Sequence, residues 1–512
     1  MAAISVGAGI LISRLAGLVR QVLFAKYFGQ RTDAADAFTR AFQIPNLLQN
    51  LFGEGALSGS FIPVHAALRA RGEHDAAAQM ARTFFALLTT AISVLVLLGV
   101  LASPLMVTLL APGFTGVKRE LTIRLVRVLF PGAGLLVASA WCLGVLNSHG
   151  KFLLSYSAPV AWNAAMIGTL LLFGGRTDLD ALAIKLAWGS VIGSFLQFAV
   201  QAPVAWNLSR HPGRAAITEP VRRAIRNFFP ILLSRGAVQL TAYIDGVIAS
   251  FLPTGAPAAI GYAQTIYTLP VSLFGISISA AELPKMSGDA ARAGDYAALR
   301  LRIDSGLRRL AFFVVPSAVA FAALGDVIAG ALFEHGRFVH ADSLYVWGIL
   351  AGSSIGLLAS TMARLYSVAH YAIGDAKRPL RFALVRLVVV TTLGYACAIL
   401  LPPLLGIAAE WGAAGLTASA GVAGWIEFAL LRASLNRRIG HTGLAASYVA
   451  RLWTCGLAGA AAAWGVKLLL PPVDPIIRGA LVLPVFGAGF LATALLLGVP
   501  IEGRTAFFRK TS

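Results

Sequence analysis

The stretch DAFTRAFQIPNLLQNLFGEGALSGSFIPV, residues 36–64, decides how the rest of this 512-residue chain is interpreted. It is apolar enough for a membrane helix, yet five polar residues recur along it: Asp36, Arg40, Gln43, Asn50 and Glu54. At about 100° per residue these positions lie within roughly 40° of one line along a helix, if a bend at Pro45 is ignored. A charge in mid-bilayer costs about 2.5–3.5 kcal/mol, so such residues usually face a bundle interior or a watery cavity. The stripe predicts a polar path through a membrane.

The composition is that of a polytopic membrane protein. Hydrophobic residues make up 58% of the chain and charged residues only 12%, against about 25% charged residues in soluble domains. The net charge of +20 comes from Lys and Arg in short loops between apolar runs, which is the positive-inside pattern. Nucleic-acid binding is therefore disfavoured.

No enzyme signature is present. The cysteines Cys142, Cys397 and Cys455 are too widely spaced for a zinc site or a disulfide framework. The sequence contains neither a zinc-protease HExxH motif nor a P-loop, which disfavours a primary ATPase. We predict no catalytic residue and no metal site.

Apolar runs of spanning length occur about fourteen times, which predicts an all-α membrane protein of about fourteen transmembrane helices. The predicted spans are 4–28, 34–64, 82–111, 122–147, 152–174, 181–207, 227–252, 257–284, 306–333, 342–372, 380–401, 405–431, 446–470 and 476–498. The basic loops place both termini in the cytoplasm. We expect a multi-pass protein of the bacterial inner membrane.

The chain also repeats itself at one offset. ILISR at 10–14 matches ILLSR at 231–235, and GLLVAS at 134–139 matches GLLAS at 356–360, each shifted by 221 or 222 residues. Six spans separate equivalent helices, so the two copies share one orientation. The repeat predicts two pseudo-symmetric six-helix lobes plus two C-terminal helices, with substrate bound between the lobes.

The predicted domains follow from these spans. They are an N-lobe at 1–210, a linker at 211–226, a C-lobe at 227–401, its last helix at 402–433, two extra helices at 434–498 and a cytoplasmic tail at 499–512. In the linker region, Val221 and Phe228 share one helical face and Arg222 and Arg226 another. An amphipathic surface helix and an ordinary basic loop both fit this pattern.

Arginines are the leading candidates for substrate binding, because a guanidinium stays charged and donates bidentate hydrogen bonds to phosphate. Arg14 and Arg20 lie in the first span, and the repeat places Arg235 where Arg14 stands in the first lobe. The structural alternatives are that Arg20 reaches an interface and that Arg14 pairs with a carbonyl or with Asp36.

The second span supplies further candidates. Asp36 and Arg40 are candidates for substrate contact, although their spacing also allows them to neutralise each other. Glu54 and Asp36 are candidates for a gate or an ion-coupling site, and Asn46 and Asn50 are secondary candidates. Four more charges lie within apolar spans and are assigned only to the bundle interior or to helix ends: Glu282, Arg364, Arg386 and Glu427.

At SRLAGLVRQVLFAKYFG, residues 13–29, followed by the stretch quoted above, the chain resembles the MurJ (MviN) family of lipid II flippases. This family belongs to the multidrug/oligosaccharidyl-lipid/polysaccharide exporter superfamily. The resemblance implies two lobes, a hydrophobic groove from the last two helices for a polyprenyl tail, and alternating access. It further implies that undecaprenyl-pyrophosphate-linked peptidoglycan precursor, lipid II, is carried to the outer leaflet, with arginines binding the pyrophosphate.

Arg14, Arg20, Asp36 and Glu54 match the charged functional positions of that family, whereas other positions depart from it. Gln49-Asn50 stands where the family often has two arginines, and Gln21 stands where an acidic residue is frequent. In the eighth span a typical Arg-x-x-Glu is replaced by Thr265 and Thr268. The second lobe then lacks its usual phosphate-directed arginine, and Arg235 or Arg40 is expected to compensate; Thr265 is a secondary candidate.

The first interpretation is therefore a lipid II flippase. The alternatives are a related flippase for another polyprenyl-linked oligosaccharide, a small-molecule cation antiporter, and a non-transporting scaffold for cell-wall enzymes. Expected partners are lipid II or a related glycolipid, membrane lipids and the cell-wall synthesis machinery, with no nucleic acid. No cofactor is indicated, and membrane potential, a proton on Asp36 or Glu54, and sodium are compatible energy sources.

Overall fold

The computed structural model describes residues 2–52, 54–210, 216–291 and 296–500. In these residues the chain is helical, with turns and short loops between helices and no β-strand. The first half contains α1 (Ala2–Phe28), α2 (Asp33–Phe52), α3 (Glu54–Ala70), α4 (His74–Leu101), α5 (Ser103–Leu110), α6 (Gly116–Ser148), α7 (Phe152–Ser157), α8 (Pro159–Phe173), α9 (Leu179–Leu208) and α10 (Glu219–Ser250).

The second half has α11 (Ala256–Pro270), α12 (Ser277–Ala291), α13 (Ala297–Phe333), α14 (His340–Ala372), α15 (Lys377–Tyr395), α16 (Leu401–Leu404), α17 (Gly412–Ile439), α18 (Ala446–Leu469) and α19 (Pro475–Leu496). Two π-helical turns, Val271–Ile276 and Ala396–Leu400, connect α11 to α12 and α15 to α16. A helix satisfies its backbone groups within one segment and without water, which is why apolar spans fold in this way.

The predicted all-α membrane fold is confirmed. Ten helices or pairs of consecutive helices among the described residues are long and apolar enough to cross a membrane, and each coincides with one of the fourteen predicted spans. The other four predicted spans fall on α1, on α2 with α3, on α10, and on α11 with α12. These segments are helical too, but the total of fourteen spans stays a prediction.

The chain divides into two compact units, Met1–Ala258 and Ala259–Ser512. In the first unit, α6 packs against α2, α4 and α9, while α10 packs on α2 and α3. In the second unit, α14 packs between α13 and α17, and α18 and α19 pack on α13. Because α10 packs on α2 and α3, it belongs to the first unit, whereas the predicted C-lobe began at residue 227. The predicted lobe boundaries stay predictions.

The predicted linker contributes to α10. Residues 211–215 are outside the described residues, and α10 begins at Glu219. Val221 and Phe228 are buried in a core cluster with Phe84 of α4, whereas Arg222 and Arg226 are exposed. The segment is amphipathic as the pattern indicates, and its apolar face packs against protein.

A kink in α13 is fixed by two tryptophans. Leu324 has non-helical dihedral angles, φ −129° and ψ 17°, which frees carbonyl groups that a regular helix would bond internally. The indole N–H of Trp347 donates to Ala322 O at 2.8 Å, and that of Trp464 donates to Ala323 O at 2.9 Å. The kink therefore joins α13 to α14 and α18 through hydrogen bonds.

The crossing of α14 and α17 has no side-chain layer at its centre. A Cβ atom added to Gly356 would overlap the Cα atom of Gly421. Small residues allow such close helix contact in membranes, where dispersion forces between packed backbones contribute strongly to association. Both positions therefore require glycine.

We expect Gly356→Ala to lower the free energy of unfolding by about 1–3 kcal/mol, because a backbone atom cannot yield to the added methyl group. The melting temperature of the purified protein in detergent would report this loss as a fall of several degrees. Gly465→Ala on α18 is the matched control, because an added Cβ there meets open space. Equal melting temperatures for both variants and the wild type would contradict the close crossing.

Candidate functional site

The carboxylate of Asp36 is the most heavily bonded of the predicted site residues. Its side chain is fully buried in the first turns of α2. Lys118, in the first turn of α6, donates to Asp36 Oδ2 at 2.6 Å. The backbone N–H groups of Gly255 and Ala258 donate to Asp36 Oδ2 and Oδ1 at 2.8 and 2.9 Å. We call these four residues the Asp36 cluster.

The Asp36 cluster compensates the buried negative charge of the carboxylate. An ammonium group balances the carboxylate, and two N–H groups at the start of α11 satisfy its remaining lone pairs. Lys118 also lies 3.3 Å from Asp33 and 4.5 Å from the centre of the Phe114 ring. The cluster joins α2 and α6 to the loop that leads into α11.

Arg40 lies one turn further along α2 and is buried, with 2% of its surface exposed. Its guanidinium donates to the side chain of Gln43 and to the backbone carbonyl of Leu110 at the end of α5. A Cβ atom added to Gly246 of α10 would overlap this guanidinium. Arg40 therefore fills the space between α2, α5 and α10.

Asp36 and Arg40 do not neutralise each other in the structure, although their spacing allows it. Each residue bonds to partners on other helices, Lys118 for Asp36 and Leu110 for Arg40. Among the described members of the stripe, Arg40 bonds to Gln43, whose backbone carbonyl accepts a hydrogen bond from the Tyr243 hydroxyl at 2.9 Å. Asp36, Arg40 and Gln43 of the stripe thus connect α2 to α5, α6 and α10.

Arg20 is held by aromatic rings. Its guanidinium lies 4.8 Å from the Trp162 ring centre and 5.6 Å from that of Phe42, and Nη1 donates to Met166 Sδ at 3.7 Å. These are cation–π distances. In the described part of the chain Arg20 has no carboxylate partner. Its hydrogen-bond donors are therefore not committed to an acid.

Arg14 is exposed on α1 and has no hydrogen bond or ion pair among the described residues. Its alternative partner, Asp36, is occupied by Lys118. Two arginines of α1 are thus charged and lack an acidic partner in the residues that the structure describes.

The remaining predicted residues take different positions. Glu54 begins α3 and Arg235 lies on α10, but their side chains are outside the described residues. Asn46 is half-buried and Asn50 is exposed on α2. Thr265 donates to Gly261 O at 3.0 Å, which commits its only hydroxyl proton to its own helix. Substrate contact by these residues stays a prediction.

Sequence reasoning missed the partners of the predicted charges. Lys118 lies 82 residues from Asp36 in the chain, and Gly255 and Ala258 contribute backbone groups that no side-chain pattern can reveal. Trp162 was equally invisible as a partner of Arg20, because 142 residues separate them in the chain.

An apolar cleft with a volume of about 250 Å³ lies in the second unit. Residues of α11, α13 and α19 line it, among them Ile266, Leu269, Phe321, Leu332 and Phe486. Phe486 is the α19 residue in this lining, and no residue of α18 belongs to it. A groove formed by the last two helices stays a prediction.

The comparisons with known proteins agree with the membrane fold. The family model of the lipid II flippase MurJ matches residues 24–476. The chain is 31% identical over 447 residues to the lipid II flippase MurJ of Burkholderia cenocepacia, covering 85% of this chain and 84% of that protein. It is 32% identical over 435 residues to the probable lipid II flippase MurJ of Bdellovibrio bacteriovorus, covering 84% and 80%.

Solved structures show the same fold. A lipid II flippase MurJ in an inward closed conformation matches with a TM-score of 0.79 and 23% identity, covering 96% of this chain and 98% of that one. An inward-facing MATE multidrug transporter of the MOP superfamily matches with a TM-score of 0.68 and 16% identity, covering 86% and 98%. The family match over most of the chain, together with relatives above 30% identity, shows that this protein belongs to the lipid II flippase MurJ family, whose members are transporters and not enzymes.

Proposed function

We propose that the protein carries lipid II from the inner to the outer leaflet of the bacterial inner membrane, with Arg14 and Arg20 contacting the pyrophosphate. The observation that supports this is the imbalance of charge on α1 and α2. Asp36 has a full set of partners, whereas Arg14 and Arg20 have no acidic partner among the described residues. Pyrophosphate supplies the missing acceptors, and arginine binds it bidentately.

Both termini lie in the cytoplasm in this proposal, and the polyprenyl tail stays in the lipid while the headgroup crosses. The tail lies against the apolar cleft that includes Phe321 and Phe486. Buried methylene groups contribute about 0.8 kcal/mol each, so a long tail favours apolar protein surface or lipid throughout. Membrane potential, a proton or sodium supplies the energy, and cell-wall synthesis enzymes receive the product.

The Asp36 cluster acts as a latch in this cycle. Gly255 and Ala258 must leave Asp36 if transport moves the start of α11 away from α2. Separating a buried carboxylate from its partners costs about 3–5 kcal/mol unless other groups replace them. Release of this latch is therefore a costly step, which the binding energy of the cargo offsets.

A second candidate is a flippase for another polyprenyl-linked oligosaccharide. It is favoured by Thr265 and Thr268, whose hydroxyl groups donate to their own helix at 3.0 and 2.7 Å. These positions carry no charge for a phosphate.

Complementation of a bacterial strain depleted of its own lipid II flippase distinguishes the two candidates. The wild type should restore growth, whereas Arg14→Ala and Arg20→Ala should not, because each lost charge-assisted hydrogen bond costs about 1.5–3 kcal/mol. Arg176→Ala, at an exposed arginine in a loop of the same unit, is the control and should restore growth. Failure of the wild type at normal membrane abundance would favour the second candidate.

The latch predicts a local change in hydrogen exchange. Asp36→Asn and Lys118→Ala should speed exchange of the backbone amides in residues 254–260 by roughly tenfold or more, because each removes one partner of a buried ion pair. Mass spectrometry of peptides from the full-length protein in detergent measures this. Arg119→Ala is the control, because its guanidinium bonds to Thr108 instead. Unchanged exchange in both variants would rule out the latch.

A further inference from the structure

A second polar stripe runs along α14 in the second unit. At about 100° per residue, six positions between residues 353 and 371 lie within roughly 40° of one line along this helix. Five of the six are polar: Ser353, Ser360, Arg364, Ser367 and Tyr371. The sixth is Leu357, which is buried.

None of the five polar residues is buried, whereas most of the residues between them on α14 are. Arg364 is exposed, whereas the three residues before it and the two after it are buried. It has no hydrogen bond or ion pair among the described residues. Arg364 lies among serines in the second half of α14. An arginine in a membrane helix faces a watery cavity or a polar ligand far more readily than lipid.

A half-buried tyrosine–serine pair fixes α11 beside this stripe. The hydroxyl groups of Tyr267 and Ser360 lie 3.0 Å apart, and Ser360 donates to Leu357 O at 3.1 Å. Because Ser360 has one proton, Tyr267 donates to it. Arg364 stands one helical turn beyond Ser360 on the same face.

A second arginine stands near the first. Arg386 Nη1 of α15 donates to Glu427 Oε2 of α17 at 3.0 Å. Arg386 Nε is buried and has no hydrogen-bond partner within the described residues. Gly424 of α17 lies against Ser360 of α14, so Glu427 and Arg364 each stand about one helical turn beyond the same contact. The hydrogen bond from Arg386 to Glu427 brings the second guanidinium to this place. The group holds two cations and one anion, so one positive charge and one buried donor lack a counterpart.

We propose that Arg364 and Arg386, with Tyr267 beside them, form an anion site in the second unit that binds a phosphate group of the cargo. The proposal rests on the proposed function, because it takes the cargo to be a polyprenyl pyrophosphate. The site supplies the phosphate-directed cation that Thr265 and Thr268 do not supply. A tetrahedral phosphate accepts several N–H bonds at once, and the free donors of both arginines are suited to it.

Glu427 limits the affinity of this site. It occupies one nitrogen of Arg386 and contributes a negative charge that repels phosphate. A bound phosphate competes with Glu427 for Arg386, so cargo binding and the ion pair oppose each other. A transporter benefits from such competition, because a ligand that is held too tightly is not released.

The direct test is a binding measurement on the full-length protein in detergent. The probes are undecaprenyl pyrophosphate, undecaprenol without phosphate, inorganic pyrophosphate and phosphatidylglycerol. We expect the wild type to bind undecaprenyl pyrophosphate and inorganic pyrophosphate but to bind undecaprenol weakly. Saturable binding of phosphatidylglycerol with equal affinity would make the site a general lipid-headgroup site and would overturn its assignment to the cargo.

Arg364→Ala should weaken the binding of undecaprenyl pyrophosphate at least tenfold, and Arg364→Lys should restore part of it, because lysine keeps the charge but loses the bidentate geometry. Arg381→Ala on α15 is the control, at an exposed arginine of the same unit. Melting temperatures show whether each variant is folded. Wild-type affinity in a folded Arg364→Ala variant would overturn the proposal.

Glu427→Gln separates binding from structure, since the two roles predict opposite results. If the site binds phosphate, the affinity for undecaprenyl pyrophosphate rises severalfold, because Arg386 is freed and a negative charge is removed. If the ion pair only supports the fold, the melting temperature falls and the affinity does not rise, which contradicts the proposal.

The failure of this proposal is distinguishable from the failure of the proposed function. Loss of binding and growth in Arg14→Ala, with neither lost in Arg364→Ala, would leave the flippase intact and eliminate the second anion site. No binding of undecaprenyl pyrophosphate to the wild type would overturn both.

Discussion

The burial of one carboxylate sets the arrangement of the first unit at the end where α1 meets α2. Asp36 can be charged there only because Lys118 and two backbone N–H groups surround it, since an unpaired charge in such a place costs several kcal/mol. Those partners come from α6 and from the start of α11. Arg40 repeats the principle one turn away, with Leu110 as its acceptor. Helices distant in sequence are thereby held together by polar groups within an apolar protein.

Hydropathy predicted the helices because a membrane leaves the backbone no alternative. Any long apolar segment must bond internally, so the position of each span follows from composition alone. The kinks and the packing partners of the helices do not follow from composition. The kink at Leu324 depends on the indoles of Trp347 and Trp464, and these partners are apparent only once the helices are packed. The assignment of α10 to the first unit likewise depends on contacts with α2 and α3.

The site was predictable in its residue types but not in its pairing. The spacing of Asp36 and Arg40 suggested a local pair, because spacing within one helix is all that a sequence displays. The actual partner of Asp36 lies 82 residues away at Lys118. Arg364 is a different case, because the projection that revealed the stripe on α2 would have revealed the stripe on α14. The serines around Arg364 are inconspicuous in a sequence, since serine is common in membrane helices for packing reasons.

The contact between Gly356 and Gly421 has a mechanical consequence. Two backbones that touch have no layer of side chains over which to slide, so α14 and α17 behave as one stiff body through any motion of the second unit. Arg364 and Glu427 stand eight and six residues beyond that crossing on their respective helices, and their separation is inherited by every conformation of the carrier. Arg386 lies on α15, which packs on α17, and it is joined to Glu427 by an ion pair and not by the glycine contact. Arg364 and Glu427 therefore keep a fixed spacing, and the electric field at the stripe changes when the ion pair between Arg386 and Glu427 opens.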